Sequence, residues 1–164
     1  MINYEIVYND EKYFNQLYKI IDSVAKELIY IEILEAPEYD LFYKYNLFNI
    51  NNKYPNFIAL CADAVVGWIE CTPLNNPRQK HRGILSMGIA DGYRGMGIGS
   101  KMLSHVINYS KSISLEKIEL VVYPHNLNAF NLYIKYGFEQ YGYIKNYRKI
   151  NDKYFDGILM EKFL

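Results

Sequence analysis

A chain of 164 residues that is 51% hydrophobic and 22% charged has the size of one domain and the apolar material for a sizeable core, so residues 1–164 read as a single domain. Its 18 Lys and Arg balance 18 Asp and Glu, leaving no global field to draw nucleic acid or an anionic membrane. No run approaches the roughly 20 apolar residues of a membrane span, and MINYEIVYNDEKYF lacks the basic start and apolar stretch of a signal peptide, so a cytoplasmic location is expected.

In chain order, a strand is expected over Asn3 to Val7, then a helical stretch from near Asp10 and a second helical region around Ile29 to Phe48, interrupted at Pro37. Strands follow at Phe57 to Cys61 and Val65 to Cys71 about the turn Ala62-Asp63-Ala64. That hairpin would set Cys61 opposite Val65 and Cys71 opposite Pro55, with both cysteines free thiols. The loop Thr72 to His81 leads to a strand at Gly83 to Ile89, and a helix over Gly97 to Lys111 carries Ile98, Met102 and Val106 at helical spacing. A strand at Lys117 to Val122 precedes a helix that contains Tyr133. Closing strands at Glu139 to Tyr147 and Phe155 to Phe163 are joined by the polar turn Ile150 to Lys153. The element order is β-α-α-β-β-β-α-β-α-β-β, without repeats or low-complexity linkers.

The stretch Leu85 to Met102, LSMGIADGYRGMGIGSKM, reads as a strand running through a glycine-rich turn into a helix. Arg94, Gly95, Met96, Gly97, Ile98 and Gly99 fall where that helix begins. Its first backbone N–H groups have no partner within the helix, and the positive end of the dipole faces the same spot. A pyrophosphate would suit it. A Walker A loop needs Gly-Lys-Ser/Thr, but Gly99 is followed by Ser100 and then Lys101; a dinucleotide fingerprint needs a third glycine where Ser100 stands.

What the turn does match is Arg-x-x-Gly-x-Gly, at Arg94, Gly97 and Gly99, and there it resembles the acyl-CoA pyrophosphate loop of the GNAT N-acetyltransferase superfamily. The block Val122 to Phe138, VYPHNLNAFNLYIKYGF, resembles the strand-then-helix segment that follows this loop in the same superfamily. By that resemblance Asn126 bonds the pantetheine arm, Ala129 is the small residue that lets the arm pass, and Tyr133 is the acid that protonates the departing thiolate. Without the analogy, Asn126 or Asn128 can cap the helix, Ala129 and Tyr133 share one face, and Gly137 suits a left-handed stop.

The implied fold is an α/β (α+β) GNAT domain with a mixed central sheet of about seven strands, splayed between the fourth and fifth. The pantetheine arm would enter that gap and pair with Met87, Gly88 and Ile89, while Gly95 to Ser100 hold the pyrophosphate and Asn131 joins Asn126, Ala129 and Tyr133 on the helix side. The implied reaction is direct attack of a primary amine on the thioester of acetyl-CoA through a tetrahedral intermediate, with no metal required. Many relatives dimerise, so a homodimer is among the expectations.

Deprotonating an alkylammonium with a pKa of about 10.4 at pH 7 costs about 4 to 5 kcal/mol, so the base matters more than the acid. Some members carry a Glu near the place of Gly83, where this chain has none. Candidates for the base are Glu70, Glu119, or His81 through water. The segment Ile29 to Tyr43 supplies Glu32 and Glu35 as an acidic lip for a cationic acceptor. The ending Asn151 to Met160 resembles that of members acetylating small amines or amino acids, with Asp152 where glycine is usual. The expected activity is therefore acetyl transfer to a small-molecule amine, with a protein or peptide terminus and a non-catalytic CoA-binding sensor as the alternatives.

Overall fold

The computed structural model describes residues 3–164, so Met1 and Ile2, the head of the stretch expected not to be a signal peptide, lie outside the described residues. Seven strands form one mixed sheet: β1 (Glu5–Tyr8), β2 (Asn56–Cys61), β3 (Ala64–Pro73), β4 (Arg82–Ile89), β5 (Lys117–Val122), β6 (Glu139–Ile150) and β7 (Lys153–Phe163). Their order across the sheet is β1-β2-β3-β4-β5-β7-β6. Helices α1 (Phe14–Lys26) and α2 (Tyr39–Asn51) cover one face, and α3 (Ile98–Ser112) with α4 (Leu127–Lys135) the other.

Alternation along the strands builds the two cores. On β3, Trp68 joins Phe14, Leu17, Val24 and Phe42 beneath α1 and α2, and the next residue, Ile69, joins Met102, Leu103, Val106 and Phe138 beneath α3 and α4. The buried face of α3 is the stripe expected from its sequence, Ile98, Met102, Leu103, Val106 and Ile107.

One interruption in the sheet positions everything that follows. Strands β1 to β4 pair antiparallel along their lengths, but the parallel pair β4·β5 is joined only at Arg82↔Lys117, Gly83↔Ile118 and Ile84↔Glu119. Beyond Ile84 the two strands part, and a cleft enters the sheet between Leu85–Ile89 and Leu120–Val122. This is the expected splay between the fourth and fifth strands.

Several local expectations are corrected. Cys61 faces Ala64 rather than Val65, because the turn is only Ala62-Asp63, with Ala62 in the left-handed region at φ 52°. Cys71 does face Pro55, whose carbonyl accepts its N–H at 2.9 Å, and both cysteines are free. The last hairpin is longer than its sequence indicated, turning at Asn151-Asp152 with φ of 47° and 62°, the two positive values of a type I′ turn.

The segment 28–38 is not helical. Its backbone groups are bonded by side chains from elsewhere instead of by one another: Arg148 donates to Leu28 O at 2.8 Å and to Ile31 O, His125 Nε2 lies 2.9 Å from Ile29 O, and Asp22 accepts from Ala36 N at 3.1 Å. Helix therefore starts only at Tyr39, two residues past Pro37.

Candidate active site

A single cleft of about 1210 Å³ runs through the splay and joins the two faces of the sheet. On the α3 side its wall is the glycine-rich turn. Gly97 is the N-cap of α3 at φ 82°, with no side chain to cap the helix, and a Cβ there would meet only the Tyr4 hydroxyl, at 3.6 Å. At Gly95, φ 75°, a Cβ would meet nothing within 4 Å. The open ground lies over the unpaired N–H groups at the head of a helix of 15 residues. Gly99 does a different job, letting α3 close on Ile89 and Leu132, 3.3 Å from where its Cβ would be. The space, the donors and the dipole fit a pyrophosphate.

Arg94, the first residue of the Arg-x-x-Gly-x-Gly match, is engaged away from the head of α3. Its guanidinium is forked onto Glu27, at 2.8 and 2.5 Å, donates from Nε to Ile89 O at 2.9 Å, and lies 4.4 Å from the centre of the Tyr30 ring. It ties the turn to the end of α1 and to β4. Glu27 carried no signal in the sequence, being 67 residues away.

Met87, Gly88, Ile89, Gly95, Gly97, Gly99 and Ser100 line the cleft together with Asn126, Ala129 and Tyr133. Three other residues expected to hold cofactor do not. Met96 is exposed, Asn131 is on the outer side of α4, and the Ile98 side chain is wholly in the core. Asn126 is the N-cap of α4, accepting from Ala129 N at 3.3 Å. Tyr133 is 6% exposed, and burial pushes its hydroxyl pKa up, so it stays protonated at neutral pH.

The three base candidates separate cleanly. His81 is exposed and off the cleft. Glu119 is 4% exposed, bonded by Arg82 at 2.6 Å and Lys117 at 3.3 Å. Burial works to raise its carboxyl, but the bonds and charges of Arg82 and Lys117 prevail and hold it below the ordinary range. Such a carboxylate is a weak base.

Glu70 is the reverse case. It is half-buried on β3, and burial pushes its carboxyl up to about 7, moderated by hydrogen bonds from Tyr45 and Asn49. The Tyr45 hydroxyl donates to Oε1 at 3.1 Å, and Asn49 Nδ2 lies 3.5 Å from Oε2. Register places it in a polar row across three strands, Asn56↔Glu70↔Ser86, that runs toward the splay. A carboxylate titrating near neutrality can take a proton and release it again at physiological pH. Tyr45 and Asn49 come from α2, and nothing local in the sequence marked them.

Glu32 and Glu35 are among the residues lining the cleft, and Glu32 is bonded by the Tyr147 hydroxyl of β6. Among the described residues no group of three or more His, Cys, Asp or Glu gathers as a metal site, and no helix is long and apolar enough to cross a membrane.

Comparison with known proteins agrees with this geometry. Residues 16–138 match the family model described as the acetyltransferase (GNAT) family. N-alpha-acetyltransferase 50 of Danio rerio is 38% identical over 93 residues, 56% of this chain and 55% of that protein. An L-amino acid N-acetyltransferase of Escherichia coli is 28% identical over 107 residues, 64% of this chain and 66% of its own length. The chain thus spans between about half and two thirds of the curated relatives it matches. A phosphinothricin acetyltransferase from Sinorhizobium meliloti, solved in complex with acetyl-CoA, superposes with a TM-score of 0.92 over 100% of this chain and 89% of that one, at 18% identity, which is a likeness of fold. With the splayed sheet, the glycine-rich turn and a family match over well more than half its length, the chain belongs to the acetyltransferase (GNAT) family.

Proposed function

We propose that this protein transfers an acetyl group from acetyl-CoA to a primary amine, with Glu70 as general base and Tyr133 as general acid. The observation that carries the reading is that one cleft holds a near-neutral carboxylate on the α2 face and a protonated tyrosine on the α4 face, with the gap in the sheet between them. Gly95, Gly97, Gly99 and Ser100 would receive the pyrophosphate at the head of α3, and the free edge of β4 at Met87, Gly88 and Ile89 would pair with the pantetheine arm beside Ala129. Bound acetyl-CoA supplies the activated acetyl thioester.

The chemistry assigned to the chain is proton management. Glu70 Oε1 or Oε2 takes a proton from the incoming ammonium, directly or through one water, and the Asn49 and Tyr45 bonds hold the carboxylate toward the cleft. The Tyr133 hydroxyl donates its proton to the departing sulfur. The gap in pKa to be bridged is smaller with a base near 7 than with an ordinary carboxylate near about 4.3, by roughly 3 to 4 kcal/mol.

The named relatives include an N-alpha-acetyltransferase and an L-amino acid N-acetyltransferase, and the ending of this chain, similar to that of small-amine members, favours a small-molecule acceptor in the cytoplasm. A CoA-binding sensor would have no use for Glu70 in the cleft. The test is acetyl-CoA binding by calorimetry together with amine-dependent release of CoA thiol. Binding with turnover on an amine sustains the reading; binding without turnover on any amine favours the sensor, and failure to bind removes the assignment of the glycine-rich turn.

A further inference from the structure

The acceptor end of the cleft differs from the acidic lip expected of it. Four large side chains on its wall are exposed: Ile33 at 41%, Leu41 at 61%, Tyr45 at 43% and Ile84 at 43%. Leu41, Tyr45 and Ile84 are on elements that flank Glu70, and Ile33 lines the same cleft. Leu41 and Tyr45 stand four apart on one face of α2, where Tyr45 bonds the Glu70 carboxylate, and Ile84 lies two residues before Ser86, the cross-strand partner of Glu70. Apolar side chains of this size left open at the mouth of a cleft mark a surface that a ligand covers.

The cations on the same wall, and Glu32 among its carboxylates, are already engaged. Arg82 is held by Glu119 at 2.6 Å, Arg94 by Glu27 at 2.5 Å, and Glu32 by Tyr147. Among the described residues those two arginines are the cations lining the cleft, so neither is free to receive a carboxylate or phosphate carried by the acceptor. Ile33, Leu41 and Ile84 would strip hydration from a polyhydroxylated or polycationic amine, a cost that an apolar group does not meet.

We propose that the acceptor is a primary amine with a large apolar group within a few bonds of the nitrogen and no anionic group beside it, the apolar group lying on Ile33, Leu41 and Ile84 while the amine meets Glu70. The inference rests on the acetyl-transfer reading above. The same chemistry is offered by an arylalkylamine and by an N-terminal residue with a bulky apolar side chain.

The test is thiol release with 2-phenylethylamine, leucinamide and a leucine-initiated pentapeptide against ethylamine, spermidine and free leucine. The apolar acceptors should exceed the other three in kcat/KM by tenfold or more. Leu41→Ala and Ile84→Ala, both at exposed positions, should each lower kcat/KM for the apolar acceptors about tenfold and leave the KM for acetyl-CoA unchanged. Faster turnover of the pentapeptide than of leucinamide would assign the source as protein termini, and the reverse a small molecule; either sustains the proposal. Spermidine or free leucine outrunning leucinamide, or a preference untouched by both variants, would overturn it while acetyl transfer stands. Failure of all six acceptors with acetyl-CoA bound would instead remove the acetyl-transfer reading, and this inference with it.

Discussion

The Tyr45 hydroxyl, 3.1 Å from Glu70 Oε1 and 2.9 Å from Thr72 Oγ1, is the contact through which α2 governs the carboxylate on β3. As a donor it favours the charged form of Glu70, so Tyr45→Phe should raise the Glu70 pKa from about 7 and move the acid limb of the kcat/KM profile to higher pH. Activity in the parent protein should rise as pH passes through about 7, since the base works deprotonated. Glu70→Gln should cost 10²–10⁴ in kcat/KM and flatten that limb. A parallel loss at every pH in Tyr45→Phe would mean that the tyrosine acts on packing alone.

The same carboxyl couples stability to pH. Its folded pKa of about 7 lies above its ordinary value of 4.5, so between those pH values the folded protein keeps a proton that the unfolded chain has released. Stability contributed by Glu70 is therefore full below about 4.5, lost as pH rises toward 7, and absent above. Glu70→Gln should make the protein more stable than the parent at pH 8 by about 1 to 3 kcal/mol, with the difference shrinking toward pH 4.5, as read by urea denaturation.

Glu119→Gln should behave in the opposite way. It leaves the cations of Arg82 and Lys117 facing a neutral amide, at a cost of about 1 to 3 kcal/mol, with a less than tenfold change in kcat of the folded protein. A collapse of kcat with unchanged melting temperature would return Glu119 to the list of bases.

Tyr133→Phe keeps the ring against Phe138, 5.6 Å between centroids, and removes the hydroxyl. Turnover should fall 10- to 1000-fold with CoA affinity nearly unchanged, measured by calorimetry alongside thiol release. Equal losses in both would reject the acid role.

Gly97→Val puts a β-branched side chain at φ 82°, where L residues are strained by about 1 to 2 kcal/mol, and fills the approach to the head of α3. CoA binding should be lost, with a modestly lower melting temperature. Retained affinity would overturn the loop assignment.

The fold was largely legible because its signals are local. The short apolar runs of β2, β3 and β5, the stripe Ile98, Met102, Val106 on α3, and the turn residues all state their structure within a few positions. The α4 wall of the cleft was legible for the same reason, since Ala129 and Tyr133 lie on one short helix capped by Asn126. The surroundings of Glu70 and Arg94 were not, because they are made by distant pairs: Glu70 is bonded by Tyr45, 25 residues away, and Arg94 is claimed by Glu27, 67 residues away. The segment 28–38 was misread as helix because its backbone partners are Arg148 and His125, contributed by chain more than ninety residues later. The ion pairs of Glu119 were not legible either, because strand spacing tells which face a residue takes and not whether Arg82 and Lys117 meet it there.

The three residue pairs that join β4 to β5 also divide the molecule mechanically. Strands β1 to β4 form one hydrogen-bonded unit and β5, β7 and β6 another, so the seam should open at lower free energy than either unit melts. A ligand that lays an extended arm along the seam would act as mortar between two half-sheets, and by mass action would add about 2.7 kcal/mol of stability at a concentration a hundred times its Kd. In amide exchange, protection gained on adding CoA should therefore concentrate at Leu85–Ile89 and Leu120–Val122, the two lips of the seam, ahead of the interior of either half.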